Sequence, residues 1–225
     1  MVNDLFRSLK KFKSYKTPVS LWTVENIYQN LAYPFFLIAK RIGVTPNFVT
    51  LVSFLLFLIG ATFFINEHYI LSLSVWVLSY VFDCTDGALA RATNSSTRFG
   101  AFLDVSVDRL CSLIFLLLIF SKLDFERIED YIVLLGVLFI AFNSLVSTLR
   151  PLYFPELKGH AKKLDSYFYK LSRILYEMLD TGNLFVLTCL AFYFDFVLVL
   201  YSFYAVFTGF LLMYNFRLLS KVGSS

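Results

Sequence analysis

Four aspartates, Asp83, Asp86, Asp104 and Asp108, fall within residues 82–108, FDCTDGALARATNSSTRFGAFLDVSVD, with Gly87, Arg91 and Gly100 between them. Asp83 and Asp86 are three residues apart, so on a helix they lie about 60° from one another around the axis and share a face. Gly87 and Ala90 continue that stripe, and Arg91 ends it. Gly100, Asp104 and Asp108 step by four and make a second stripe. Small residues on both stripes predict close backbone approach of the two helices. Two carboxylates on each facing helix form an oxygen-only, strongly negative site. Without His or Cys such a site favours Mg²⁺ or Mn²⁺ over Zn²⁺. Two such ions ~3.5–4 Å apart suit an in-line displacement at phosphorus. A guanidinium at Arg91 suits a pyrophosphate.

The flanking segments that must position these groups are apolar. A charged side chain in a bilayer costs at least ~2.5–3.5 kcal/mol on insertion scales, so this many need partners. Measured against the ~20 residues that cross a hydrocarbon core, six spans are expected: 47–66, 69–93, 98–121, about 131–148, about 176–194 and about 196–217. Thr45-Pro46 opens the first with a helix-start signal, and Phe194-Asp195-Phe196 offers a tight reversal before the last. Residues 1–45 are basic and aromatic, with apolar runs interrupted by Pro18 and Pro34. They read as an amphipathic segment on the membrane surface, with Trp22, Tyr28 and Tyr33 at headgroup level. The fold class expected is an all-α integral membrane protein. Residues 1–45 form its basic juxtamembrane segment, 46–218 its six-helix catalytic domain and 219–225 a short polar tail.

Composition agrees. The 225 residues are 58% hydrophobic and 19% aromatic, with a mean hydropathy of +0.70, which excludes an ordinary soluble domain. Much of the net charge of +4 sits in the arm with Arg7, Lys10, Lys11, Lys13 and Lys16. Such an arm suits an anionic leaflet, not nucleic acid. The three cysteines lie in apolar stretches and read as packing thiols, not a disulfide framework. No removable signal peptide is apparent at the N-terminus. Basic residues gather in the N-terminal arm, at Arg91 and Arg98, in 150–173 and in the tail, whereas 122–130 is net acidic. The positive-inside rule then puts both termini and the aspartates on the cytoplasmic side of the cell membrane.

The spacing D-x2-D-G-x2-A-R-x8-G-x3-D-x3-D, from Asp83 to Asp108, resembles the signature of the CDP-alcohol phosphatidyltransferase family at every position. The TPN-x-VT opening from Thr45 to Thr50, the basic arm and the six-helix count are similar to that family too. The resemblance implies a homodimeric membrane enzyme in which a second, small alcohol attacks the β-phosphate of a CDP-linked lipid alcohol and CMP leaves. It further implies two divalent cations, Mg²⁺ or Mn²⁺, held by Asp83, Asp86, Asp104 and Asp108. Asp108 would be the general base, and Pro46, Asn47, Asp83, Gly87, Arg91 and Gly100 would surround the CDP moiety.

The acceptor is written less plainly. Family members that use glycerol 3-phosphate or free inositol typically carry an arginine three residues beyond the position of Thr50. Ser53 stands there, which leans toward the inositol-phosphate branch. A phosphorylated acceptor needs cations, and Arg150 is the first candidate. Asp180 and Asn183, at the start of the fifth span, either line the acceptor side or cap a helix. Two other functions compete. One is transfer of a small phosphoalcohol from its CDP ester to a lipid or glycan. The other is cation transport along the aspartates, which duplicated halves would support; no internal repeat is present.

Overall fold

The computed structural model describes residue 12 and residues 14–16, 22–153 and 179–222; these residues form helices and turns, with no strand among them. A π-helical turn, Val24–Tyr28, runs directly into α1, Gln29–Ile42. Then follow α2 (Pro46–Ile65), α3 (Tyr69–Ala92), α4 (Arg98–Phe120), α5 (Ile128–Tyr153), α6 (Thr181–Tyr193) and α7 (Val197–Val222). Each expected span coincides with one of the helices α2 to α7, though residues 176–178 of the fifth lie outside the described residues. Among the described residues α2 is the one helix both long and apolar enough to cross a membrane, by length and composition.

Pro34 does not interrupt its segment; it stands inside α1. A proline there removes one backbone hydrogen bond, and side-chain packing offsets the loss. Gln29, Ala32, Phe36 and Ala39 form the buried stripe of the helix, and Phe35 meets Phe82 of α3 with ring centroids 4.9 Å apart. Apolar side chains at Ile27, Leu31, Ile38 and Ile42 are exposed. Of the three aromatic residues expected at headgroup level, Trp22 is exposed. Tyr28 is not. It is buried, edge-on to Tyr80 at 4.7 Å, because the π-helical turn carries it onto the packed face.

Four helices end alike. Gly43, Glu67, Asn94 and Asp195 have φ of 77°, 63°, 52° and 56°. The following N–H in each case reaches back five residues: Val44 to Ala39 (3.1 Å), His68 to Phe63 (2.9 Å), Ser95 to Ala90 (3.0 Å) and Phe196 to Ala191 (3.0 Å). This is the Schellman closure. It ends α6 at Asp195, where the sequence offers a turn, and three of the four ends lack the glycine that usually announces such a closure.

The described residues within 1–115 and 181–190 form one compact unit, and those within 116–180 and 191–225 a second. In the first, α2 and α3 pack along their length around Trp76, which is 1% exposed. Its Nε1 donates to the Phe57 carbonyl at 3.0 Å, and its ring meets Phe57, Phe64, Phe115 and Phe185. A Cβ on Gly60 would collide with the indole, so the glycine is what lets the ring lie against α2. In the second unit α5 packs on α7 in the same manner: Gly136 is pressed against the Tyr201 backbone carbonyl, and Val133, Val137, Leu200, Tyr201 and Tyr204 are buried.

Candidate active site

The site is built where α2, α3 and α4 begin or end, all within the first unit. Thr45 caps α2: its backbone is extended and its hydroxyl accepts from Phe48 N at 3.4 Å, with Pro46 in the first turn. That cap places Pro46 and Asn47 at the rim and Thr50 one turn inside. At the end of α3 the Schellman closure at Asn94 is reinforced by Thr93, whose hydroxyl donates to the Leu89 carbonyl at 2.8 Å. Thr97 then starts α4, accepting from Gly100 N at 2.9 Å. The five-residue connection 93–97 therefore has its own hydrogen-bond partners and presents Ser95, Ser96 and Thr97 to a pocket of ≈ 150 Å³.

That pocket is lined by Pro46, Asn47, Asp86, Gly87, Arg91 and Gly100 among others. Five of the six residues assigned to CDP from the sequence thus share one cavity; the sixth, Asp83, stands in the acidic group beside it. Asp83, Asp86 and Asp104 each bring one carboxylate oxygen to within 4.8 Å of the others. Asp86 is buried, at 5% exposure, and Thr50 Oγ1 donates to its Oδ2 at 2.5 Å. Asp108 lies one turn beyond Asp104, exposed and outside the three-carboxylate group.

The donor set fits a hard divalent cation. An octahedral Mg²⁺ with ligands at about 2.0–2.1 Å holds oxygens roughly 3–4 Å apart, and such a charge would relieve the repulsion among three carboxylates within 4.8 Å. Asp83, Asp86 and Asp104 are the residues that could hold it.

The two motif glycines do a different job from the one their stripes predict. A Cβ on Gly100 would lie 2.9 Å from Asn47 Oδ1, and one on Gly87 3.3 Å from both terminal nitrogens of Arg91. They make room for polar side chains at the pocket wall. Close backbone approach is found instead at Gly136, against the Tyr201 carbonyl, while Gly60 admits the Trp76 ring. Thr50, Ser95, Ser96 and Thr97 are pocket residues that motif reasoning passed over. The signal for Thr50 was its place one turn after Pro46; the other three sit in the unspecified gap between Arg91 and Gly100.

Three further residues are acceptor-side candidates from the sequence. Asn183 has both ends of its carboxamide engaged: Nδ2 donates to Thr23 Oγ1 at 2.8 Å and Oδ1 accepts from Tyr28 at 3.2 Å. It ties the N-terminal turn to α6. Asp180 is half-buried in the turn before α6. Arg150 falls in the last turns of α5, and its side chain is outside the described residues, as are Lys158, Lys162, Lys163 and Arg173. Ser53 is buried between α2 and α3 in a reciprocal pair: its hydroxyl donates to the Ser79 carbonyl at 3.0 Å and receives none of the pocket, while Ser79 donates to the Ser53 carbonyl at 2.8 Å.

Known proteins resemble parts of this chain. The archaetidylinositol phosphate synthase of Pyrococcus horikoshii is 41% identical over 69 residues, 31% of this chain and 37% of that protein. The phosphatidylinositol phosphate synthase of Mycolicibacterium smegmatis is 40% identical over 87 residues, 37% of this chain and 38% of that one. The CDP-diacylglycerol–inositol 3-phosphatidyltransferase of Drosophila melanogaster is 44% identical over 64 residues, 28% of each chain. The chain thus matches these relatives over less than half of their length. The family profile reaches much further, from residue 43 to residue 214, over both the site and the helices after it, and by that match the chain belongs to the CDP-alcohol phosphatidyltransferase family.

Proposed function

We propose that this protein transfers a substituted phosphate from a CDP-linked lipid alcohol to the hydroxyl of an inositol phosphate, releasing CMP. The observation that carries the reading is the meeting of Asp83, Asp86 and Asp104 beside a pocket walled by Asn47, Gly87, Arg91 and Gly100. A divalent cation, Mg²⁺ or Mn²⁺, held by those carboxylates supplies Lewis acidity toward phosphoryl oxygens; a pair of ions is the full complement proposed. Arg91 holds the pyrophosphate by its planar fork. Gly87 and Gly100 let the nucleotide approach the backbone, and Asn47 offers its carboxamide to it. The acceptor oxygen bonds to the β-phosphorus, the bridging P–O bond to CMP breaks, and the hydroxyl proton passes to Asp108. Thr50, by donating to Asp86, holds that carboxylate in one rotamer.

The acceptor class is supported by the names of the archaeal and mycobacterial relatives. Free inositol is the second reading, favoured by the resemblance to the Drosophila protein. Arg150 and Asp180 are proposed on the acceptor side; Asn183 has a packing role that competes with such a part. The setting proposed is the cell membrane, with α2 to α7 as six spans, residues 1–45 on its surface, the site facing the cytoplasm and the protein a homodimer. Rows of exposed apolar side chains, Leu51, Leu55 and Ile59 on α2 and Leu113 and Leu117 on α4, support contact with lipid.

The test is CMP release by the purified chain from CDP-diacylglycerol or its archaeal ether counterpart with Mg²⁺ or Mn²⁺. The acceptors offered are inositol phosphate, free inositol and glycerol 3-phosphate. Inositol phosphate should be the best of them. No release with any acceptor, together with wild-type behaviour of Asp108→Asn, removes the transferase reading.

A further inference from the structure

Arg91 is held from behind by a part of the chain that the family signature does not include. Its Nε donates to the backbone carbonyl of Tyr15 at 2.5 Å, seventy-six positions away in sequence. Tyr15 belongs to a short turn, closed by its own N–H donating to the Phe12 carbonyl at 2.9 Å. That turn is anchored at both ends. Phe12 is 2% exposed, its ring 5.1 Å from Tyr33 and 5.0 Å from Phe36 of α1. Lys16 donates to the Glu25 carbonyl at 2.9 Å and to Asn30 Oδ1 at 2.6 Å. On the other side of Arg91, its terminal nitrogens lie against Gly87 on the wall of the pocket.

We infer that the Phe12–Lys16 turn is a clamp that sets the orientation of the Arg91 guanidinium, with Phe12 as its anchoring, positioning residue. The inference rests on the reading of the pocket as a nucleoside diphosphate site. A guanidinium recognises phosphate oxygens through a planar fork, so its value depends on the plane in which it is held. An unrestrained arginine has many rotamers to lose on binding. A carbonyl on Nε removes most of them beforehand, and the carbonyl itself is placed by a buried aromatic ring and a doubly bound lysine. Phe12 touches neither the pocket nor a ligand; it acts through Arg91.

The experiment is calorimetric titration of the purified, detergent-solubilised full chain with CDP in the presence of Mg²⁺. Phe12→Ala should weaken CDP binding about tenfold, and Phe12→Leu should restore most of it. In an Arg91→Lys background, which keeps the charge but has no Nε–H to meet Tyr15, Phe12→Ala should cost no further affinity. Should Phe12→Ala fail to fold, Lys16→Ala loosens the other end of the turn and is held to the same outcomes. Wild-type affinity in the anchor variant, or a loss that persists undiminished beside Arg91→Lys, overturns the clamp while leaving the site's function standing. If the wild-type protein itself does not bind CDP, the reading of the pocket fails and the clamp falls with it.

Discussion

Two buried polar contacts, one turn apart along the same α2–α3 interface, have opposite consequences. At Ser53 and Ser79 each hydroxyl donates to the other residue's carbonyl, and every group involved is neutral. One turn nearer the start of α2, Thr50 donates instead to the Asp86 carboxylate, an ionisable group at 5% exposure that shares its neighbourhood with Asp83 and Asp104. The serine pair completes itself and adds a modest packing contribution. The threonine–aspartate pair belongs to a group of three carboxylates whose mutual repulsion the Arg91 charge offsets in part and a divalent cation, in the proposed function, would offset further. A single helix–helix seam is therefore plain scaffold at one level and, in the proposed function, reaction site at the next.

The sharpest way to break the comparison is at the carboxylates. Asp83→Ala, Asp86→Ala or Asp104→Ala should each lower CMP release by about a thousandfold or more. Mg²⁺ or Mn²⁺ should raise the Tm of the wild-type protein and EDTA should reverse that rise; each of the three variants should lose it. A variant that keeps the metal-dependent Tm would remove its residue from the ligand set. Asp108→Asn should separate the roles: activity falls about a hundredfold or more, yet the metal-dependent rise in Tm persists, because Asp108 stands outside the three-carboxylate group.

On the scaffold side the strongest change is Gly60→Val, whose side chain meets the Trp76 ring. Overpacking of this kind should cost about 3 kcal/mol, seen as a drop in Tm in detergent, with the Mg²⁺ response kept in whatever folds. Thr50→Ala should reduce kcat about tenfold by releasing Asp86, with Thr50→Ser restoring it. An effect of Thr50→Ala on Tm alone would make this contact a second serine-type pair. Ser79→Ala should be mildest, about 1 kcal/mol of stability and no change in kcat/KM. Ser53→Arg, by contrast, forces a cation into that seam and should destabilise without any gain of activity toward glycerol 3-phosphate.

The motif at Asp83 to Asp108 and the periodicity of the apolar runs were enough to foretell the helices and most of the pocket. Helix limits at α2, α3 and α4 came within a residue or so, because Thr45-Pro46 and the connection 93–97 carry local start and stop signals. What the motif could not convey was the use of each small residue. Gly87 and Gly100 look like helix-packing glycines on a one-dimensional stripe, yet their neighbours are Arg91 and Asn47, and that neighbour depends on how α2 lies across α3. Ser53, read from the sequence only as the absence of an arginine, pairs with Ser79 across the seam, which no local pattern conveys. Tyr28 and Asn183 were read as interfacial and acceptor-lining side chains, but a π-helical turn and the start of α6 bring them together.

By itself, then, the sequence determined the local matters: which stretches are helical, where they are capped, and that acidic groups repeat at helical spacing around Gly87, Arg91 and Gly100. These follow from interactions within a few residues. Only the tertiary structure decided which carboxylates meet, that Thr50 holds Asp86, that Ser53 belongs to the seam, and that Tyr15 reaches Arg91. Those pairings join residues up to 76 positions apart, and contacts at such distances are set by how helices cross, which no local pattern records.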